Sequence, residues 1–201
     1  VGGLTPGVMN RTVRHLVSDA SSKLPPMTTY AALLRGINVG GHRKVPMAEL
    51  REVMAGLGWS DVRTYLQSGN AVFTTDDADP RARLERAVAG HFGFEVSCLV
   101  RTAGELRAVA AACPYPAAEL DPAKLLVVFL EEAPPEGHFD SVDAAAFAPD
   151  TFHHAGSAVY CYFPDGMGRS RLPAALESLR PKVTATSRNW RTVQRLIELA
   201  G

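Results

Sequence analysis

The sequence predicts an α+β fold of ferredoxin-like character, because residues 28–101 read as strand-helix-strand-strand-helix-strand. Two observations carry this reading. Short continuous apolar runs alternate with apolar residues at three- and four-residue spacing, and a turn or capping residue stands at almost every switch. Two helices are expected to cover one face of an antiparallel sheet.

The first strand is the apolar run 30–35, broken by Gly36. A glycine-rich loop, 36–44, leads to Pro46 as the first residue of a helix. Met47, Leu50, Met54 and Leu57 give that helix one apolar face, and Gly58 ends it. Residues 62–67 and 71–75 read as strands joined by a Ser68-Gly69-Asn70 turn. Asp79 and Pro80 open a second helix with Leu84, Ala87, Val88 and Phe92 on its buried stripe, and 94–100 is the fourth strand.

Beyond this unit, Thr102 and Glu105 form a capping box for a helix that ends near Cys113 and Pro114. Prolines 114, 116 and 122 mark a connector, and 125–130 is the clearest strand in the chain. A short helix is expected at 141–147, strands at 151–154 and 158–163, and helices at 173–180 and 189–200. The hairpin 65–73 aligns without gaps on 152–160. Chance likeness between glycine turns and duplication of one α+β unit both account for it. The expected organisation is an extension or vector-derived segment at 1–26, a ferredoxin-like subdomain at 27–101, a helix and connector at 102–123, and an α+β subdomain at 124–201.

Composition sets the outer limits. The chain has 201 residues, 46% hydrophobic and 21% charged, which suits a folded protein. Twenty-one basic residues balance 21 acidic ones, so indiscriminate nucleic-acid coating is disfavoured. Cys98, Cys113 and Cys161 have no metal-ligand spacing, so no metal site is expected; Cys98 in an apolar run and Cys161 between two tyrosines read as structural thiols, in a reducing, cytoplasmic setting. No run approaches the ~20 apolar residues of a membrane span. Residues 1–26 lack the pattern of a secretion signal, and residues 11–17 could form a helical turn.

Three polar segments are candidates for chemistry. The loop 35–44 follows a strand and precedes a helix, where backbone N–H groups can meet an anion. Gly40 and Gly41 permit close approach, while Arg35, Arg43 and Lys44 add charge and Asn38 adds hydrogen bonding. A turn with solvated charges is the plainer reading. Gln67, Ser68 and Asn70 could bind polar groups or simply make a tight hairpin. At 184–191, Thr186 or Ser187 is expected to cap the last helix, placing Arg188 and Arg191 in its first turn. Cations there oppose the helix dipole, so an anion or a protein carboxylate is expected between them. Arg169 belongs to another glycine-arginine loop, 166–171. His42 is the one histidine placed for acid-base work.

These segments resemble a known family. Leu-Leu-Arg-Gly-Ile-Asn-Val-Gly-Gly at 33–41, Val-Pro-Met-Ala-Glu-Leu at 45–50, the hairpin 62–73 and Thr-Ser-Arg-Asn-Trp-Arg-Thr at 186–192 look like the bacterial DUF1697 family. The resemblance spans 27–201 and implies two tandem α+β subdomains with no assigned activity. Gly-Arg-Ser-Arg-Leu at 168–172 departs from the family's Gly-Arg-Ser-Lys-Leu, with Arg171 in place of a lysine, which weakens any role for an amine there.

The expected function is binding of an anionic ligand, a nucleotide or another phosphate-bearing molecule, at a cleft between the subdomains. The residues expected to hold it are Arg35, Asn38, Gly40, Gly41, Arg43, Lys44, Gln67, Ser68, Asn70, Arg169, Arg188 and Asn189. This requires the 35–44 loop and the 186–191 turn to lie within ~20 Å of one another. An RNA- or DNA-binding module, with Tyr65, Phe73, Tyr160 and Tyr162 displayed on strands, is the second reading. An enzyme of unassigned reaction using His42 or Ser170 is the third. No membrane partner is expected, and the sequence identifies neither a cofactor nor an oligomeric state.

Overall fold

The computed structural model describes residues 1–3 and 26–201; the helical turn expected at 11–17 lies outside them. The elements run β1 (Thr28–Leu34), α1 (Met47–Gly56), β2 (Ser60–Tyr65), β3 (Asn70–Thr75), α2 (Pro80–Phe92), β4 (Cys98–Thr102) and α3 (Ala103–Ala111). The second half runs β5 (Leu125–Leu130), β6 (Thr151–Ala155), β7 (Ala158–Tyr162), α4 (Leu172–Ser178), β8 (Ala185–Asn189) and α5 (Trp190–Ala200). Two antiparallel sheets result, ordered β2-β3-β1-β4 and β6-β7-β5-β8. Adding four to each strand number of the first sheet gives the second. The fold is therefore α+β, built from two units of one topology.

The sheets share a central core. Ala31, Leu33, Val72 and Leu99 of the first sheet meet Val127, Phe129, Ala158 and Tyr160 of the second, with Leu106 of α3 and Trp190, Val193 and Leu196 of α5 between them. Helices α1 and α2 cover the other face of the first sheet through Leu50, Met54, Leu84 and Val88. The expected pair of helices on one face is present, and α3 and α5 cover the opposite face as well. Burial on both faces explains why residues 31–34 and 125–130 read as continuous apolar runs rather than alternating ones.

Backbone hydrogen bonds put the two units in register. The N–H of Leu34 donates to Gly69 O at 2.8 Å and that of Leu130 to Ser157 O at 2.9 Å. The next residues, Arg35 and Glu131, donate to Ser97 O and Thr184 O. Leu33 pairs with Asn70 and Phe129 with Ala158, so Asn70 corresponds to Ala158. The gap-free hairpin alignment is thus one residue out. A one-residue slip exchanges the faces of a strand, and it would set Val72, in the central core, against Val159, in the outer one. The structural register pairs Val72 with Tyr160, both in the central core.

The same register equates β4 with β8, because Leu34 pairs with Cys98 and Leu130 with Ala185. Thr102 and Asn189 then coincide, and both are N-caps of the helix that follows. Thr102 Oγ1 accepts from Glu105 N, and Asn189 Oδ1 accepts from Thr192 N at 2.9 Å. This corrects the expected cap at Thr186 or Ser187: those residues lie in β8, and Arg188 is a strand residue rather than part of the first helical turn. Thr, Ser and Arg extend readily when they pair with a buried strand such as β5, and Asn caps better than Thr. Other boundaries moved less. Pro46 is the N-cap of α1, and the helix expected at 141–147 is a single 3₁₀ turn at Ala144–Phe147.

Candidate functional site

The loop after β1 is a small pinned hairpin. Ile37 and Val45 are buried at its base, Asn38 N donates to Arg43 O, and His42 N donates to Val39 O. Asn38 has φ +57° and Arg43 φ +48°, while Gly40 and Gly41 at the tip are also left-handed. Asparagine tolerates that region better than most side chains, and here its amide has further work. Its Nδ2 donates to Val45 O at 3.0 Å and Gln67 O at 2.8 Å, and its Oδ1 accepts from Val45 N at 2.8 Å. The loop is thereby tied to the β2–β3 turn. Arg35, His42, Arg43 and Lys44 remain exposed, and among the described residues the three cations form no ion pair.

The β2–β3 turn is equally constrained. A Cβ on Gly69, at φ +82°, would come within 2.7 Å of Ile37 Cδ1 and 2.9 Å of Leu34 Cβ, so only glycine fits. Asn70 is fully buried, and its Nδ2 donates to Tyr65 O and Ser68 Oγ.

Arg188 enters this region from the other unit. It is only 8% exposed, and its guanidinium donates to Asn70 Oδ1, Thr186 Oγ1 and four carbonyls, those of Leu34, Ser68, Gly69 and Ser187. None of these acceptors carries a charge. Burial pushes the Arg188 pKa down to about 10, so it stays cationic at neutral pH without a counter-ion. Asn70 Oδ1 takes one of its donors and Asn70 Nδ2 holds the turn, so one buried amide joins the two units.

Arg101, the equivalent of Arg188 in the first unit, does the reciprocal job. Its guanidinium donates to Val100 O, Leu130 O and Glu131 O, where Leu130 corresponds to Leu34. Each unit therefore grips the end of the other's first strand with an arginine one residue before a helix cap. Arg101 is half-buried and less completely enclosed.

Residues 27–160 match a family model whose description is protein of unknown function (DUF1697). The chain belongs to that family. A search of curated proteins finds no match. A solved structure of a conserved bacterial protein from Streptococcus pneumoniae is similar, at 26% identity and TM-score 0.67, covering 88% of this chain and 100% of that one. The DUF1697 match takes in all of the first unit and ends within β7, so the segments 168–172 and 186–192 lie beyond it.

In this DUF1697 chain the residues expected at the site fall into three groups. Asn38, Gln67, Ser68, Asn70 and Arg188 meet at the end of β1, which Arg35 directly follows, with 2.8 Å between Arg188 Nη2 and Leu34 O, so the loop and β8 satisfy the required proximity. The side chains of Asn38, Asn70 and Arg188 are committed to internal hydrogen bonds there, and Asn189 is committed to capping α5. Gly40, Gly41, Arg43 and Lys44 form the exposed tip. Arg169 is elsewhere, on a groove of about 750 Å³ between residues 146–150 and 165–171, whose lining includes none of residues 35–44. A smaller cleft of about 210 Å³ lies between the units near Tyr30, Arg81, Arg101 and Glu131, and there the Arg81 guanidinium already pairs with Glu85 and Glu131.

Other candidates are spoken for. Phe73 and Tyr160 are fully buried, so neither can stack on a base from its sheet; Tyr160 instead donates to Val109 O. Ser170 Oγ accepts from Leu172 N, and among the described residues neither it nor His42 hydrogen-bonds a titratable side chain. Burial raises the Cys98 and Cys161 thiols to about 12, as structural thiols require. The described residues contain no group of three possible metal ligands. The sequence reading missed Arg101. Its signal was present, since arginine directly before a capping residue occurs at both 101–102 and 188–189.

Proposed function

We propose that this protein binds a phosphate-bearing anion, a nucleotide or a related small molecule, at the loop after β1 where the two units meet. The observation that carries this reading is a set of cations without carboxylates. Arg35, Arg43 and Lys44 are exposed and form no ion pair among the described residues, and Arg188 beneath the loop is buried against neutral acceptors alone. Their charge is uncompensated locally in a chain whose formal net charge is zero. Arginine and lysine hydrogen bonds to phosphate are charge-assisted, each contributing roughly 1.5–3 kcal/mol when well formed. The pinned backbone lowers the ordering cost of binding, since Asn38 and Gly69 already fix the loop and the β2–β3 turn beside it.

Calorimetric titration with ATP and with pyrophosphate at low salt tests this. The expectation is saturable binding that weakens with added salt and falls roughly tenfold or more in an Arg43→Glu/Lys44→Glu variant. Absence of binding to either probe at low salt would remove the proposal. The exposed cations of the loop keep a nucleic acid as the second reading, and a single-stranded oligonucleotide that outcompetes both probes would favour it.

A further inference from the structure

The two units differ most on their outer faces. In the first unit, α1 and α2 are 10 and 13 residues long and pack together over the sheet, filling the space with Leu50, Met54, Leu84 and Val88. Their counterparts in the second unit, between β5 and β6 and between β7 and β8, are a four-residue 3₁₀ turn and the seven-residue α4. The layer is cut back, and the groove of about 750 Å³ opens between these two connections. That volume lies in the range of small-ligand sites, roughly 300–1,000 Å³.

Charged side chains line the groove. Arg169 and Arg171 lie on one wall with Ser170 and Asp165, and Asp150 lies on the other beside Phe147. Among the described residues these four charges form no ion pair, with each other or with anything else. Arg171 has only a 3.5 Å contact from Nη2 to Ala146 O. Two guanidiniums and two carboxylates thus face one concavity, beyond pairing distance of each other. A simple anion would gain from the arginines and be opposed by the aspartates, and a simple cation would meet the reverse. A molecule carrying both an ammonium and a carboxylate a few ångströms apart satisfies both sets.

We propose that this groove is a second ligand site, separate from the basic loop, for a zwitterionic ligand of the ammonium–carboxylate type. Free amino acids and peptide segments bearing neighbouring basic and acidic side chains both offer that chemistry. The proposal stands independently of the anion site at 35–44.

The full chain is titrated by calorimetry with free lysine, free glutamate and a capped Lys-Ala-Glu peptide, with inorganic phosphate as the simple anion. At least one zwitterionic probe should bind saturably below about 10 mM. Arg169→Glu and Asp165→Lys should each weaken that binding roughly tenfold or more, whereas Arg86→Glu, an equal charge change on the exposed face of α2, should leave it unchanged. Preference for the free amino acids or for the capped peptide identifies the source. The proposal is overturned if no zwitterionic probe binds, if phosphate binds as tightly and that binding is weakened by Arg169→Glu, or if the groove variants behave like Arg86→Glu. Arg169 and Asp165 are exposed, so loss of binding in these variants reports on the groove rather than on unfolding.

Discussion

The two halves of this chain share a strand order and a central core, and they diverge wherever they meet solvent. The loop after β1 holds Arg35, Arg43 and Lys44 and no acidic residue, whereas its counterpart after β5, residues 131–143, holds Glu131, Glu132, Glu136, Asp140 and Asp143 and no Lys or Arg. Topologically equivalent connections therefore carry opposite charge. The outer helices of the first unit are full-length and closed, and those of the second are shortened around a groove. Inward residues are bound by packing against a common core, so they tolerate little change. Loops and outer connections are free of that constraint, and they are where function can be altered without loss of the fold.

The arginine pair offers the largest test of this equivalence. Arg188→Met removes the donor from six acceptors, four of them in buried contacts, and should cost about 3–5 kcal/mol, because each buried acceptor left unsatisfied costs about 1–3 kcal/mol. Arg101→Met removes the reciprocal grip from a half-exposed position and should cost about 1–2 kcal/mol. Urea unfolding of both variants measures the ratio, and equal losses would show that the two grips are not graded by burial as described. A smaller contrast concerns the hairpin glycines. Gly69→Ala meets both a left-handed φ and a collision with Leu34 and Ile37, at about 2–3 kcal/mol, while Gly156→Ala at φ +58° meets open space and should cost about 1 kcal/mol.

The smallest effect is the response to acid. Burial alone would raise the Asp77 carboxyl, but hydrogen bonds from Trp59 and Arg83 and the charge of Arg83 outweigh it and hold the pKa below its usual 3.8. A depressed carboxylate contributes stability that is complete above its unfolded value and is lost as pH falls through its folded value. Asp77→Asn should therefore lower stability at neutral pH and make it less steeply dependent on pH below 3.8. An unchanged slope would mean that Asp77 titrates alike in folded and unfolded chains.

Much of the fold was legible because local signals agreed with one another. Pro80 after Asp79, the Thr102–Glu105 box and the apolar runs at 31–34 and 125–130 all mark elements that formed where they were expected. The register of the repeat was not legible, because Gly69 and Gly156 invite alignment although the hydrogen bonds of Leu34 and Leu130 place Asn70 opposite Ala158. Nor was the role of Arg188. Four of its six acceptors lie more than a hundred residues away in the chain, and Thr186 and Ser187 are capping residue types that locally favour a helix start until pairing with β5 makes them strand residues. The candidate loop was found from its glycines and cations, but the sequence could not say that Asn38, Asn70 and Arg188 would be occupied holding it in place.

Binding of an anion at the loop where the units meet is read residue by residue from backbone amide resonances of the full chain during titration with ATP. An anion held there gives saturable shifts concentrated at residues 35–44 and 66–70, with little change around 146–150 and 165–171. Shifts confined to that second groove, or no saturable shifts at low salt, would contradict it.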